Sequence, residues 1–309
     1  MILKYIVNQD SSGKNIKYIL KNKLNLSERL VKKLKYSRKI LCNNIPVYVN
    51  AIVNNGDIVE AHVDFTEEVS DIIPENIQIS IIYEDDYLIA LNKQPNIVVH
   101  PTFSHPSGTI ANAIMHYLNS KNIFRKIRPV SRLDRDTSGV IIFAKNEFIQ
   151  EAMIRQMTSK EFHKEYIGIV YGTVNQSQGT IDLPIDRKPG SIMLRHISPT
   201  GDRAVTHYRV VEYLKEATFL KFLLETGRTH QIRVHCQAIG HPLIGDTLYP
   251  LDNEQHCIAN PQFKSDSYIG RQALHSQRVR FIHPFLKTEI ILEAPIPDDI
   301  QRLLEILRK

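Results

Sequence analysis

Residues 131–144 read Ser131-Arg132-Leu133-Asp134-Arg135-Asp136-Thr137-Ser138-Gly139-Val140-Ile141-Ile142-Phe143-Ala144. The last five form an apolar run with the length of a strand buried on both faces. The nine before them make a charged loop entering that strand, in which Thr137-Ser138-Gly139 offers hydroxyls and a permissive backbone position for the turn. Asp134, with Arg132 and Arg135 on either side, is expected to be held as a carboxylate by the opposite charges. On composition alone such a loop reads as a surface turn that closes its own ion pairs.

Working outward, short β-like runs mix with helical patterns. Ile81-Ile82-Tyr83 and Leu88-Ile89-Ala90-Leu91-Asn92 flank Glu84-Asp85-Asp86, and Ile110, Ile114 and Leu118 mark a helix after Ser107-Gly108-Thr109. Further strands are expected over 167–171 and 219–224. Strands and helices do not alternate regularly, so α+β is expected and a doubly wound parallel sheet is not. The segment Phe162-His163-Lys164-Glu165-Tyr166 sets Tyr166 at the start of a strand, where tyrosine is usually a core residue. After the 219–224 strand comes Glu225-Thr226-Gly227-Arg228-Thr229-His230-Gln231-Ile232-Arg233-Val234-His235-Cys236. Thr229 is the expected cap of a helix with Ile232, Cys236 and Ile239 on one face, ending at Gly240. Arg233 would then lie in its second turn, a rigid place from which to aim a guanidinium.

The first 65 residues read as a separate small module. Leu26, Leu30, Val31 and Leu34 give one stripe of an amphipathic helix with Ser27 at its N-cap, and Arg29, Lys32, Lys33 and Lys35 lie off the stripe. Strand-like runs at 45–50 and 58–63 are expected to form a hairpin through Asn54-Asn55-Gly56-Asp57. Residues 66–78 turn acidic, contain Pro74 and read as a linker. The second domain then runs over 79–309.

The 309 residues, 42% apolar and 23% charged, can bury a substantial core, which excludes disordered and fibrous classes. The net charge of +6 is uneven. Residues 1–50 hold 11 basic and two acidic residues, a surplus of +9; the remainder holds 28 basic and 31 acidic, or −3. That basic segment suggests a polyanionic partner. Cys42, Cys236 and Cys257 are odd in number and far apart, which suits a reducing compartment. No secretory h-region and no run of 18 apolar residues occurs, so a cytoplasmic protein without a membrane partner is expected.

The sequence has no P-loop, G-x-G-x-x-G, H-E-x-x-H or G-x-S-x-G, and no nucleotide cofactor is expected. His230, His235, Cys236 and His241 cluster, but residues 230 and 235 on one helix point about 140° apart. No metal is expected there; packing or hydrogen bonding to a substrate is.

In their order and spacing, the Asp134, Tyr166 and Arg233 segments resemble the RluA-like family of RNA pseudouridine synthases. The resemblance extends over about 79–305 and includes Val99-His100-Pro101, Ala204-Val205-Thr206-His207-Tyr208 and Gln272-Ala273-Leu274-His275-Ser276. It implies a pseudouridine synthase fold: a mixed, largely antiparallel central sheet with flanking helices. The activity implied is isomerisation of uridine in structured RNA, with no cofactor. Ribosomal RNA, preferably of the large subunit, is the first expectation and transfer RNA the second, with the protein a monomer. By position, Asp134 becomes the catalytic aspartate, Tyr166 the active-site tyrosine, Arg233 the basic partner of the aspartate and Arg132 the arginine beside the flipped base. The family usually has histidine where Ser131 stands, so RNA contacts near the site are expected to differ.

The N-terminal module is similar to S4-type RNA-binding domains, whose glycine-containing turn appears here as Ile45-Pro46-Val47-Tyr48-Val49-Asn50-Ala51. This implies RNA contacts through Arg29, Lys32, Lys33, Lys35 and Arg38. The rival expectation from another class is an inert RNA-binding or ribosome-assembly factor that keeps the fold, supported only by Ser131. A metal-dependent nuclease or deaminase lacks the ligand spacing.

Overall fold

The computed structural model describes residues 1–63, 72–250 and 268–309. At the N-terminus lie β1 (Ile2–Ile6), α1 (Ile16–Tyr18), α2 (Glu28–Tyr36), β2 (Ile40–Cys42), β3 (Ile45–Pro46) and β4 (Ile58–His62). The four strands form one sheet in the order β1-β4-β2-β3. The Ser27 side chain accepts the Leu30 N–H and caps α2, and Leu30, Val31 and Leu34 are buried as their spacing requires.

The expected hairpin between 45–50 and 58–63 does not form. β4 pairs instead with β1 and β2, and the tight turn is Asn43-Asn44, both at positive φ, joining β2 to β3. The backbone of 49–53 is taken by residues 13–17: Ile16 N donates to Ala51 O, Lys17 N to Val49 O and Val53 N to Lys14 O.

The rest of the chain continues with β5 (Ser80–Glu84), β6 (Leu88–Lys93), α3 (Ile110–Ser120), β7 (Arg128–Pro129), β8 (Ser138–Ala144) and α4 (Glu147–Thr158). There follow β9 (His163–Tyr171), β10 (Gln178–Asp182), β11 (Ile185–Arg187), β12 (Arg195–Ile197), β13 (Val205–Leu214) and β14 (Ala217–Leu224). α5 (Gln231–Ala238), β15 (Leu274–Ile282), β16 (Glu289–Glu293) and α6 (Asp298–Leu307) complete it. The main sheet runs β10-β13-β14-β9-β15-β8-β6-β5, with β16 beside β15 and β7 beside β8. Only the β15–β8 pairing is parallel among the described residues. The architecture is thus α+β with a largely antiparallel central sheet.

Strand alternation assigns the layers. From β8, Val140 and Ile142 pack with Phe148, Ile149 and Met153 of α4, while Ile141 and Phe143 pack with Ile110, Ile114 and Leu118 of α3 on the other face. Each such buried side chain contributes roughly 1.5–3 kcal/mol. β9 divides likewise. Ile167 and Ile169 meet α6, and Tyr166 and Val170 share a cluster with Ile232 and Cys236 of α5. Tyr166 and α5 therefore lie on one side of the sheet. Of the expected linker, residues 66–71 lie outside the described residues, as does Cys257. Residues 72–78 lie along α3, where Asn112 Nδ2 donates to Ile73 O and Glu75 N to Asn112 O. No helix among the described residues is long and apolar enough to cross a membrane.

Candidate active site

The Asp134 loop is fixed from below through three successive carbonyls. Asp134 O accepts the Thr137 N–H at 3.2 Å, Arg135 O accepts from Lys93 Nζ at 2.8 Å, and Asp136 O accepts from Arg271 Nη1 at 2.9 Å. Lys93 is fully buried and gives its other hydrogens to Gln94 O and Ile97 O; burial pulls its pKa down to about 7. Gly139 sits where β8 touches β15. A Cβ there would meet Ser276 O at 2.1 Å, and its φ of +111° excludes ordinary side chains. The loop that bears Asp134 is thereby locked beside β15, whose Ser276 is paired with Tyr166 of β9.

Arg233 approaches from α5. Its Nε and Nη2 grip Asp246 at 2.6 and 2.7 Å, and Nη1 stands 3.1 Å from Oδ2 of Asp134. The guanidinium also lies over the Tyr249 ring, 5.1 Å from its centroid. Burial alone would lower the Arg233 pKa, but the contacts with Asp246 and Asp134 outweigh it and raise it. Thr229 does not cap α5. The helix begins after His230, whose backbone is left-handed. Gln231 organises the turn: its Oε1 accepts from Arg228 N and Thr226 Oγ1, and its Nε2 donates to Val205 O. Arg233 consequently lies in the first turn, not the second.

Tyr166 is 6% exposed, and Ser276 of β15 stands opposite it in the sheet register. Burial raises its phenol, the Ser276 contact lowers it and Asp134 raises it, with a net upward shift; the ring is neutral at physiological pH. Asp134, Tyr166 and Arg233, brought together from positions 32 and 67 residues apart in sequence, line a single cleft of about 520 Å³. Arg135, expected beside Asp134, pairs with its other neighbour Asp136 at 3.0 Å. That part of the loop closes its own ion pair, and the partner of Asp134 comes from α5.

Sequence reasoning did not single out Asp246, Lys164 or the role of His230. Asp246 carried one signal, an acid set directly after Leu243-Ile244-Gly245, since a carboxylate among buried apolar residues requires a partner. Lys164 lines the cleft beside Tyr166, and burial lowers its pKa. His230, expected to serve packing or substrate, reaches within 3.9 Å of Asp134. His235 bonds Thr206 Oγ1 and Leu183 O, and no metal-binding group occurs among the described residues.

The expected RNA-contacting cations divide. Arg29 and Lys33 face α4, with Arg29 Nε 2.6 Å and Lys33 Nζ 3.5 Å from Glu147, while Ser27 Oγ donates to Glu151 at 2.8 Å. Lys32, Lys35 and Arg38 are exposed on the same module. Arg132 is exposed at the mouth of the cleft, one residue from Ser131, which also lines it.

A family model described as RNA pseudouridylate synthase matches residues 87–238. The uncharacterized RNA pseudouridine synthase YjbO of Bacillus subtilis is 38% identical over 285 residues, covering 91% of this chain and 95% of that protein. Ribosomal large subunit pseudouridine synthase D of Escherichia coli O6:H1 is 38% identical over 248 residues, covering 78% of this chain and 74% of its own length. Among solved structures, human RNA pseudouridylate synthase domain containing 4 aligns with a TM-score of 0.59 at 21% identity, covering 74% of this chain and 93% of that one, a likeness of fold.

Proposed function

Because this chain belongs to the RNA pseudouridine synthase family and is an isomerase that converts uridine in RNA to pseudouridine, we propose that its substrate is large-subunit ribosomal RNA and that Asp134 carries the reaction. The observation that carries the site assignment is the 3.1 Å contact between Arg233 and Asp134 at the cleft. The target is supported by relatives named ribosomal large subunit pseudouridine synthase D, at 35% identity over the whole chain in Blochmanniella floridana and 38% over 78% of it in E. coli.

The reaction breaks the N1–C1′ bond, turns the base, joins C5 to C1′, releases the C5 proton and leaves N1 protonated, so product and substrate are isomers. It consumes no group donor. Asp134 either attacks C1′ or removes the C2′ proton, and both routes need an oriented carboxylate, which Arg233 supplies through its 3.1 Å contact with Oδ2. Tyr166 offers a neutral ring on which the uracil stacks. With its phenol raised by burial it is a poor phenolate base, and the C5 proton leaves to solvent water in the open cleft. Flipping a base costs a few kcal/mol, and Arg132 at the mouth of the cleft offsets part of this by filling the vacated stack.

Residues 1–65 serve as an S4-like RNA-binding module, 66–78 as a linker and 79–309 as the catalytic domain. Lys32, Lys35 and Arg38 carry the docking charge. The test is pseudouridine mapping of ribosomal and transfer RNA from a deletion strain against its parent. Loss of pseudouridines from large-subunit RNA supports the reading. Loss from transfer RNA alone overturns the target, and no loss anywhere favours an inert binder.

A further inference from the structure

His230 stands immediately before α5 with φ 58° and ψ 20°. This left-handed conformation is uncommon for a residue with a Cβ, and such positions persist only where the surroundings hold them. Here Val234 N donates to His230 O at 2.9 Å, and Gln231 secures the preceding turn through Arg228 N. The ring is turned toward the cleft, with Nε2 3.9 Å from Oδ1 of Asp134.

Its other nitrogen is committed. Nδ1 lies 2.8 Å from the Tyr249 hydroxyl, and the oxygen of that hydroxyl already accepts the Arg195 backbone N–H at 2.9 Å. Tyr249 can therefore direct its own O–H at Nδ1. Burial lowers the His230 pKa, Asp134 and Asp246 act against this, and Arg233 and Arg195 act with it; the net shift is downward and the ring is neutral. A neutral imidazole that accepts at Nδ1 carries its proton on Nε2. The opposite tautomer would turn a lone pair toward the carboxylate.

We propose that His230 is a positioning residue for pseudouridine formation: Tyr249 fixes it as the Nε2–H tautomer, and that N–H orients Oδ1 of Asp134 while Arg233 holds Oδ2. The inference rests on the catalytic role given to Asp134 above. The separation of 3.9 Å exceeds a hydrogen bond, but catalytic hydrogen bonds are commonly long before substrate binds and tighten in the complex.

The test uses the full chain. His230→Ala lowers kcat roughly tenfold to a hundredfold, with KM for RNA moving less than about threefold. His230→Gln, whose amide nitrogen occupies the Nε2 position, recovers most of that loss. His230→Gly suits the positive φ, so it leaves Tm unchanged or higher while lowering kcat as alanine does. Nitrogen-15 NMR of histidine-labelled protein shows the Nε2–H tautomer at His230 and its loss in Tyr249→Phe. Unchanged kcat in the alanine and glycine variants, no recovery with glutamine, or an Nδ1–H tautomer would each overturn the proposal. Asp134→Asn in the same assay keeps the two ideas apart. Turnover retained there sinks the reading of the site, whereas turnover lost there beside unaffected His230 variants sinks this inference alone.

Discussion

Arg233 and Asp246 form a buried two-point pair, Nε to Oδ2 at 2.6 Å and Nη2 to Oδ1 at 2.7 Å, and this pair leaves the third guanidinium nitrogen directed at Asp134. Asp246 has no exposed side-chain surface and Arg233 only 5%. Removing one charge strands the other. Asp246→Asn is expected to destabilise the fold by about 3–5 kcal/mol in urea unfolding and to lower turnover. Arg233→Lys, a point charge that cannot make the fork, should lose turnover more than about tenfold. Wild-type turnover in both would detach the pair from catalysis.

Tyr166 is argued to work by its ring. Tyr166→Phe should keep RNA affinity within about threefold of wild type, while Tyr166→Leu loses about 1–3 kcal/mol of stacking. Equilibrium binding to RNA containing 5-fluorouridine reads both. If phenylalanine weakens binding as much as leucine, the hydroxyl carries the contact instead.

Lys93 gives a pH signature. Its pKa falls from 10.5 unfolded to about 7 folded because of burial, so the unfolded chain binds this proton more tightly. The cost is fully present below about pH 7, and stability rises as pH increases from there to 10.5. The stability difference between wild type and Lys93→Met should therefore shift in favour of wild type across that window, by a few kcal/mol. A flat difference would mean that the three carbonyls around Lys93 hold the ammonium throughout.

How much of this was legible in the sequence follows from where each partner lies. Asp134 and Arg233 sit in motifs whose residue order survives any error in local geometry, β8 declared itself by its apolar run, and α3 by its period. The start of α5 did not, because Gln231 makes contacts with residues 205 and 206 that no local rule for a cap contains. The N-terminal hairpin was misread since the chain offers two turn-forming segments, and the choice fell to Asn43-Asn44 once residues 49–53 bonded to 13–17. Arg135 adjoins Asp134 and Asp136 equally in sequence, so sequence distance does not choose between them; it pairs with Asp136, and Asp134 takes Arg233 from α5.

The exposed cations of the N-terminal module should set the salt dependence of RNA binding. Neutralising Lys32, Lys35 and Arg38 to glutamine is expected to reduce the slope of log K against log salt by about 2 to 3, with kcat unchanged. Arg29→Gln should change it less, because Glu147 already pairs with that residue. Equal effects from Arg29 and from the exposed residues would contradict this division.

The central claim is that Asp134 is the catalytic carboxylate. It is tested by tritium release from large-subunit RNA labelled at uracil C5, comparing wild type with Asp134→Asn. The account predicts stoichiometric release by wild type with EDTA present. It predicts no detectable release by the variant, with RNA affinity and unfolding midpoint close to wild type. Release by Asp134→Asn, or loss of its RNA binding in step with its activity, would contradict it.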